Sequence, residues 1–135
     1  NLKQINSKMN FKNLHLAITS GSLLIVGFAY GICPNRILPF LLHDKITGND
    51  LYNVFKAMMA LYIGMSIYWI FGIIKPEHWI NATLTCTIFM GSLATGRIIS
   101  IVIDGMPSPL IVLGTVLELL FMIWGIYNLK YDTIR

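Results

Sequence analysis

The chain has 135 residues, of which 56% are hydrophobic and only 12% are charged. A soluble domain carries about 25% charged residues, so this composition excludes an ordinary soluble fold and indicates a membrane protein. The formal net charge of +4 would suit nucleic acid. The basic residues lie mainly outside the hydrophobic segments, where they set membrane orientation, so we expect no nucleic-acid partner.

Four hydrophobic segments are each long enough to cross a bilayer, which requires about 20 apolar residues. They occupy residues 14–33, 51–74, 79–103 and 108–129. The second, third and fourth segments are joined by tight links, so these helices must be antiparallel neighbours. We predict an all-α integral membrane protein, a single antiparallel four-helix bundle over residues 13–130.

A polar tail over residues 1–12 precedes the first hydrophobic segment, and we expect residues 1–10 to be disordered. A signal peptide is the alternative interpretation, because Lys12 precedes the apolar run and small residues at Ala29 and Gly31 have the spacing of a cleavage site. The apolar run is longer than a usual signal core, so we predict that the first helix is retained.

The connection after the first helix differs from the other two. Pro34 is predicted to end the first helix, because proline cannot continue the backbone hydrogen-bond pattern. Residues 35–49 combine a proline-broken apolar run with His43, Asp44 and Lys45. This segment is too short to cross the bilayer, so we predict an amphipathic piece at the outer interface.

Lysine and arginine are unevenly distributed between the two ends of the predicted helices. Six lie at the end that carries both termini and two at the other end, namely Lys3, Lys8, Lys12, Lys75, Lys130 and Arg135 against Arg36 and Lys45. Such a bias marks the cytoplasmic side. Both termini are therefore predicted to be cytoplasmic.

Small residues recur at spacings that allow two helices to approach closely. They are Ala57, Ala60 and Gly64 in the second segment, Ser92 and Gly96 in the third, and Gly114 and Gly125 in the fourth. Close packing at small residues is a main driver of helix association in lipid. We interpret these strips as the packing seams of the bundle.

Metal and disulfide chemistry is not indicated. Cys33 ends the first segment on the outer side and Cys86 lies near the opposite end of the third, too far apart to form a bridge. The histidines, His15, His43 and His78, are scattered over different segments. We expect no metal site and no cofactor.

Arg97 and Glu118 each interrupt a segment that is otherwise apolar enough to cross the bilayer. A charge there costs roughly 2.5–3.5 kcal/mol on insertion scales, so it normally faces a partner, a cavity or water. At about 1.5 Å per residue, Arg97 lies roughly 10 Å, and Glu118 roughly 15 Å, below the outer end of its helix. We predict an ion pair, for which arginine can form a two-pronged bond with the carboxylate.

Three further residues extend this pair into a predicted polar cluster. Ser100 and Asp104 follow Arg97 by three and seven residues, so they share one face of the third helix. Lys56 lies about one turn inside the outer end of the second helix, from which its long side chain reaches upward. We predict a polar pocket, open to the outer side, formed by Lys56, Arg97, Ser100, Asp104 and Glu118.

Several functions are compatible with such a pocket, and no catalytic residue is assigned. The ion pair would serve structure alone if it only locked two helices together. A binding pocket would use Arg97 to engage an anionic group of a small polar molecule or lipid. A proton-coupled carrier or channel-like oligomer would use Glu118, since buried carboxylates serve as proton relays.

An enzyme acting on a lipid-like substrate would use Glu118 as general acid or base, but a second well-placed catalytic group is missing. We therefore favour a non-enzymatic accessory subunit or a binder of a lipid or small amphiphile. The expected partners are membrane lipids, with a larger membrane complex or a homo-oligomer as a further interpretation.

Three stretches of the sequence resemble a known family. They are Gly96-Arg97-Ile98-Ile99-Ser100, Asp104-Gly105-Met106-Pro107-Ser108-Pro109 and Glu118-Leu119. The chain is similar to small bacterial membrane proteins catalogued as domain of unknown function 4345. The resemblance implies a multi-pass protein of the bacterial inner membrane with four helices, and it implies no established activity, substrate or cofactor.

Overall fold

The computed structural model of the protein describes residues 2–32, 34–42 and 48–133. Its elements are α1 (Leu2–Gly31), α2 (Pro34–Leu42), α3 (Asn49–Ile74), a 3₁₀ turn (Pro76–His78), α4 (Trp79–Asp104) and α5 (Pro109–Thr133). Four of the described segments, Lys12–Gly31, Asn49–Ile74, Pro76–Asp104 and Pro109–Tyr131, are long and apolar enough to cross a membrane. The prediction of an all-α, four-span membrane protein is confirmed.

The first helix begins earlier than the sequence led us to expect. α1 starts at Leu2, so residues 2–10, for which we predicted disorder, are helical. Once the apolar segment has nucleated a helix, each added residue gains a hydrogen bond at little further cost. This lets the helix continue through the polar residues.

Pro34 begins a helix rather than only ending one. α1 ends at Gly31, and Pro34 is the first residue of α2, where its missing N–H removes no intrahelical hydrogen bond. At nine residues, α2 is too short to cross a bilayer. The rest of the predicted interfacial segment includes His43, Asp44 and Lys45, which lie outside the described residues, as does Cys33.

The bundle consists of two helix pairs, α1 with α3 and α4 with α5, joined where α3 meets α4. Ser66 on α3 donates a hydrogen bond to the backbone carbonyl of Ser20 on α1 at 3.2 Å. Gly72 lies directly against Ala82, so α3 and α4 touch where a larger side chain would collide. α5 approaches α4 in the same way, with Gly125 against Thr87.

Aromatic side chains fill the interior between α3 and α4. Tyr62 and Trp69 are almost fully buried, and each packs edge-on against Phe89, at ring-centroid distances of 5.7 and 5.6 Å. The outer surface carries large apolar side chains, such as Ile25 and Val102, with 72% and 78% of their surface exposed. This distribution suits a bundle surrounded by lipid, where apolar residues cover the outside.

The small-residue strips predicted as seams lie mostly on the outside. Ala57, Ala60 and Gly64 are exposed on α3, as are Ser92 and Gly96 on α4. A Cβ atom added to Gly64, Gly96 or Gly114 would meet nothing within 4 Å, whereas Gly125 makes a close contact. The prediction is therefore wrong for the strips on α3 and α4 and for Gly114. Spacing shows that a face permits close approach, but not that another helix covers it.

Candidate functional site

Arg97 and Glu118 meet between α4 and α5. Arg97 Nε donates a hydrogen bond to Glu118 Oε1 at 3.1 Å and lies 3.0 Å from Oε2. The side chains are 20% and 12% exposed. Both oxygens approach the same nitrogen, so the pair differs from the predicted two-pronged bond, in which two nitrogens each hold one oxygen. Oε2 is buried and accepts no aligned hydrogen bond.

Two tyrosines complete the polar surroundings of the ion pair. Tyr30 on α1 lies close to the Arg97 guanidinium. The Tyr30 ring lies 6.0 Å from that of Tyr62, which is 2% exposed. Each of the four spanning helices therefore contributes one polar side chain to this level of the bundle. The sequence analysis missed both tyrosines. Their only signal was a hydroxyl group in a spanning segment, and many other residues of these segments also carry one.

A cavity of about 440 Å³ lies beside the ion pair, between α1, α4 and α5. Arg97, Glu118, Tyr30 and Tyr62 line it together with many apolar side chains, among them Leu23, Val26, Leu93, Leu117 and Phe121. Ligand pockets in proteins have volumes of roughly 300–1,000 Å³ and are mainly apolar with a few placed polar groups. The cavity has the size and the lining of such a pocket.

The cavity arises because α1 and α5 touch near one end and separate toward the other. At the closed end, His15 Nε2 donates a hydrogen bond to the backbone carbonyl of Phe121 at 3.0 Å. The His15 ring also packs edge-on against Trp124, at 5.3 Å between centroids. Farther along, Ile25 on α1 and Leu113 on α5 both line the cavity, and they are 72% and 54% exposed. The cavity therefore opens between these helices toward the lipid-facing surface.

The other three residues of the predicted cluster lie elsewhere. Ser100 donates a hydrogen bond to Asp104 Oδ2 at 2.8 Å, but both residues are exposed at the end of α4. Lys56 is exposed on α3. None of the three is among the described residues that line the cavity. The structure thus brings together Arg97 and Glu118 and separates them from Lys56, Ser100 and Asp104.

The polar groups in the cavity wall are the ion pair and the hydroxyl groups of its lining. The ion pair carries no net charge, and it presents hydrogen-bonding groups within an apolar volume. Arg97 and Glu118 are the only charged residues among the described ones that line the cavity. No group of three His, Cys, Asp or Glu side chains in the described part of the chain is placed to hold a metal ion.

A family model described as a domain of unknown function (DUF4345) matches residues 11–129. The matched range covers nearly all of the four spanning segments and the whole lining of the cavity. No curated protein and no solved structure matches the chain.

Proposed function

The chain belongs to the DUF4345 family, a domain of unknown function, and from the cavity beside its ion pair we propose that it binds an amphiphile within the membrane. The polar head of the ligand contacts the Arg97 guanidinium, and its apolar part fills the space between α1 and α5. One observation carries this proposal: a pocket-sized apolar cavity has a half-buried ion pair in its wall.

The size of the cavity favours occupancy. Its volume of about 440 Å³ is within the range of ligand pockets, and it opens toward the lipid-facing surface. An acyl chain or another apolar group from the bilayer can therefore fill it. The surrounding lipid is an abundant source of such groups.

Selectivity in this cavity has to come from its polar wall. Lipid tails are as apolar as leucine side chains, so a ligand that moves from bilayer to cavity gains little from the hydrophobic effect. A hydrogen bond to Arg97 or Tyr30 offers a gain that neighbouring lipid chains do not supply. The polar group of the ligand therefore decides which lipid binds.

The two alternative functions have less support. A carrier that uses Glu118 requires its carboxylate to take up and release a proton, and each protonation would break the ion pair with Arg97. An enzyme requires a second catalytic group, and the remaining lining is almost wholly apolar. Both remain predictions from the sequence.

We further propose a bacterial inner-membrane location with both termini in the cytoplasm. The even number of candidate spanning segments, four in the described part of the chain, supports a common side for the two ends. Lysine and arginine are also more frequent at the end of the bundle that carries both termini. Such a bias marks the cytoplasmic side.

Filling the cavity tests the binding proposal. Gly114 lines the cavity, and a Cβ atom there would meet nothing within 4 Å. Gly114→Leu should therefore place a side chain in the cavity and displace the ligand. Gly96→Leu is the matched control, because Gly96 is also an unobstructed helical glycine but does not line the cavity.

Native mass spectrometry of the protein purified in mild detergent would measure the co-purified lipid. We expect bound lipid on the wild type and on Gly96→Leu, and a loss of at least fivefold on Gly114→Leu. Equal lipid on all three proteins, or none on the wild type, would contradict the proposal.

A further inference from the structure

The lining of the cavity also indicates the chemical class of the ligand. Resting on the proposed binding function, we propose that the ligand has an uncharged head group whose oxygen accepts a hydrogen bond from Arg97, such as an alcohol or an ester or ketone carbonyl. The ligand reaches the cavity from the bilayer through the opening between α1 and α5. Anionic phospholipids and fatty-acid anions are excluded by the same reasoning.

Charge balance is the first argument. Glu118 lies 3.0 to 3.1 Å from Arg97 Nε and compensates the guanidinium charge. An anionic head group would add a second negative charge to a wall whose other described residues carry none. An uncompensated charge in apolar surroundings is strongly unfavourable. The site therefore favours a neutral ligand, although it contains an arginine.

The hydrogen-bonding inventory is the second argument. A guanidinium has five N–H donors and no acceptor. One donor of Arg97 is held by Glu118 Oε1. The donors that remain need an acceptor, and a hydroxyl or carbonyl oxygen supplies one without bringing charge. A plain hydrocarbon chain would leave them unmatched.

The position of the opening is the third argument. α1 and α5 each contribute exposed apolar side chains to the cavity, including Ile25, Leu110 and Leu113. These side chains would meet lipid tails in a membrane. A molecule already dissolved among the tails can pass between them, whereas a strongly hydrated ion would first lose its water. Entry from the bilayer therefore favours an uncharged ligand, as the polar wall of the cavity does.

Three probes with the same chain test the head group. Hexadecan-1-ol, hexadecyl sulfate and hexadecyltrimethylammonium share a sixteen-carbon tail and differ in charge. Each is added at equal concentration to delipidated full-length protein in neutral detergent, and native mass spectrometry counts the bound probe. Gly114→Leu identifies binding in the cavity, and Gly96→Leu is its control.

For the wild type we expect hexadecan-1-ol to exceed each charged probe by at least tenfold. Glu118→Gln removes the compensating charge and should shift the preference toward hexadecyl sulfate by at least tenfold. Replacing both partners, as Arg97→Gln with Glu118→Gln, restores neutrality and should restore the preference for the alcohol. The double variant also keeps the test informative if Glu118→Gln alone does not fold.

The outcomes separate this inference from the binding proposal. If hexadecyl sulfate binds the wild type best and Gly114→Leu abolishes that binding, the cavity is a binding site and the head-group inference is wrong. If no probe responds to Gly114→Leu, the binding proposal itself fails. An unchanged probe preference in folded Glu118→Gln would also overturn the charge argument.

Discussion

His15 and Phe121 join the first and last spanning helices through one hydrogen bond, from the imidazole Nε2 to a backbone carbonyl 3.0 Å away. A carbonyl only accepts hydrogen bonds, so the proton of the neutral ring lies on Nε2. His15 is completely buried. This contact closes one end of the cleft between α1 and α5, while the other end stays apart and forms the cavity.

Replacing His15 should therefore loosen the bundle. His15→Phe keeps most of the ring volume and loses the hydrogen bond, which in membrane proteins is worth about 0.6 kcal/mol on average. His15→Ala also loses the packing against Trp124 and should cost about 2–3 kcal/mol. Unfolding in detergent, followed by circular dichroism, would rank the two. The reverse order, or no loss in either variant, would contradict this role.

Breaking the ion pair on one side should cost more than removing both partners. Arg97→Gln leaves the Glu118 carboxylate without its counter-charge, so we expect the free energy of unfolding to fall by about 2–3 kcal/mol. This is less than the roughly 3–5 kcal/mol typical of fully buried pairs, because both side chains are partly exposed. The double variant with Glu118→Gln should recover at least half of it. A double-mutant cycle on unfolding free energies measures the coupling, and additive losses would show that the two charges do not interact.

Two glycines on α5 should respond oppositely to the same substitution. A Cβ atom on Gly125 would collide with the Thr87 hydroxyl and lie 3.2 Å from His15 Cε1, so Gly125→Ala should cost about 1–3 kcal/mol. Gly114→Ala meets nothing within 4 Å and should gain about 0.5–1 kcal/mol from higher helix propensity. Thermal unfolding of the two variants in the same detergent provides the comparison. Equal shifts would mean that α4 and α5 do not approach closely at Gly125.

The exposed polar residues should be dispensable for binding. Ser100→Ala removes the hydrogen bond to Asp104, which lies at the surface, and should change the unfolding free energy by less than about 0.5 kcal/mol. Lys56→Gln removes an exposed charge from α3. Neither variant should change the amount of co-purified lipid. A loss of lipid from Lys56→Gln would restore this lysine to the binding site.

The helix count and the ion pair were predictable from the sequence for a simple reason. Apolar length identifies a spanning segment, and a buried charge in such a segment needs a partner. Only Arg97 and Glu118 interrupt their segments at comparable depth. The structure places these two side chains in contact.

The surroundings of the pair were not predictable, because they depend on which helices are neighbours. Tyr30 and Arg97 line the same cavity only because α1 packs along α3 and faces α4. Helical spacing also placed Ser100 and Asp104 on the face of Arg97, but these residues are exposed and do not line the cavity. Equal depth and a shared helical spacing do not fix rotation about the helix axis. For the same reason an apolar cavity beside the ion pair was not predictable.

The gap between α1 and α5 determines which concentration governs binding. Binding of a ligand that enters from the bilayer depends on the mole fraction of that ligand in the membrane. It does not depend on the concentration of the ligand in water. Occupancy would then follow the make-up of the surrounding membrane and respond to dilution with added phospholipid even when total volume stays constant. The fraction of protein with bound ligand would therefore report the lipid composition of the membrane.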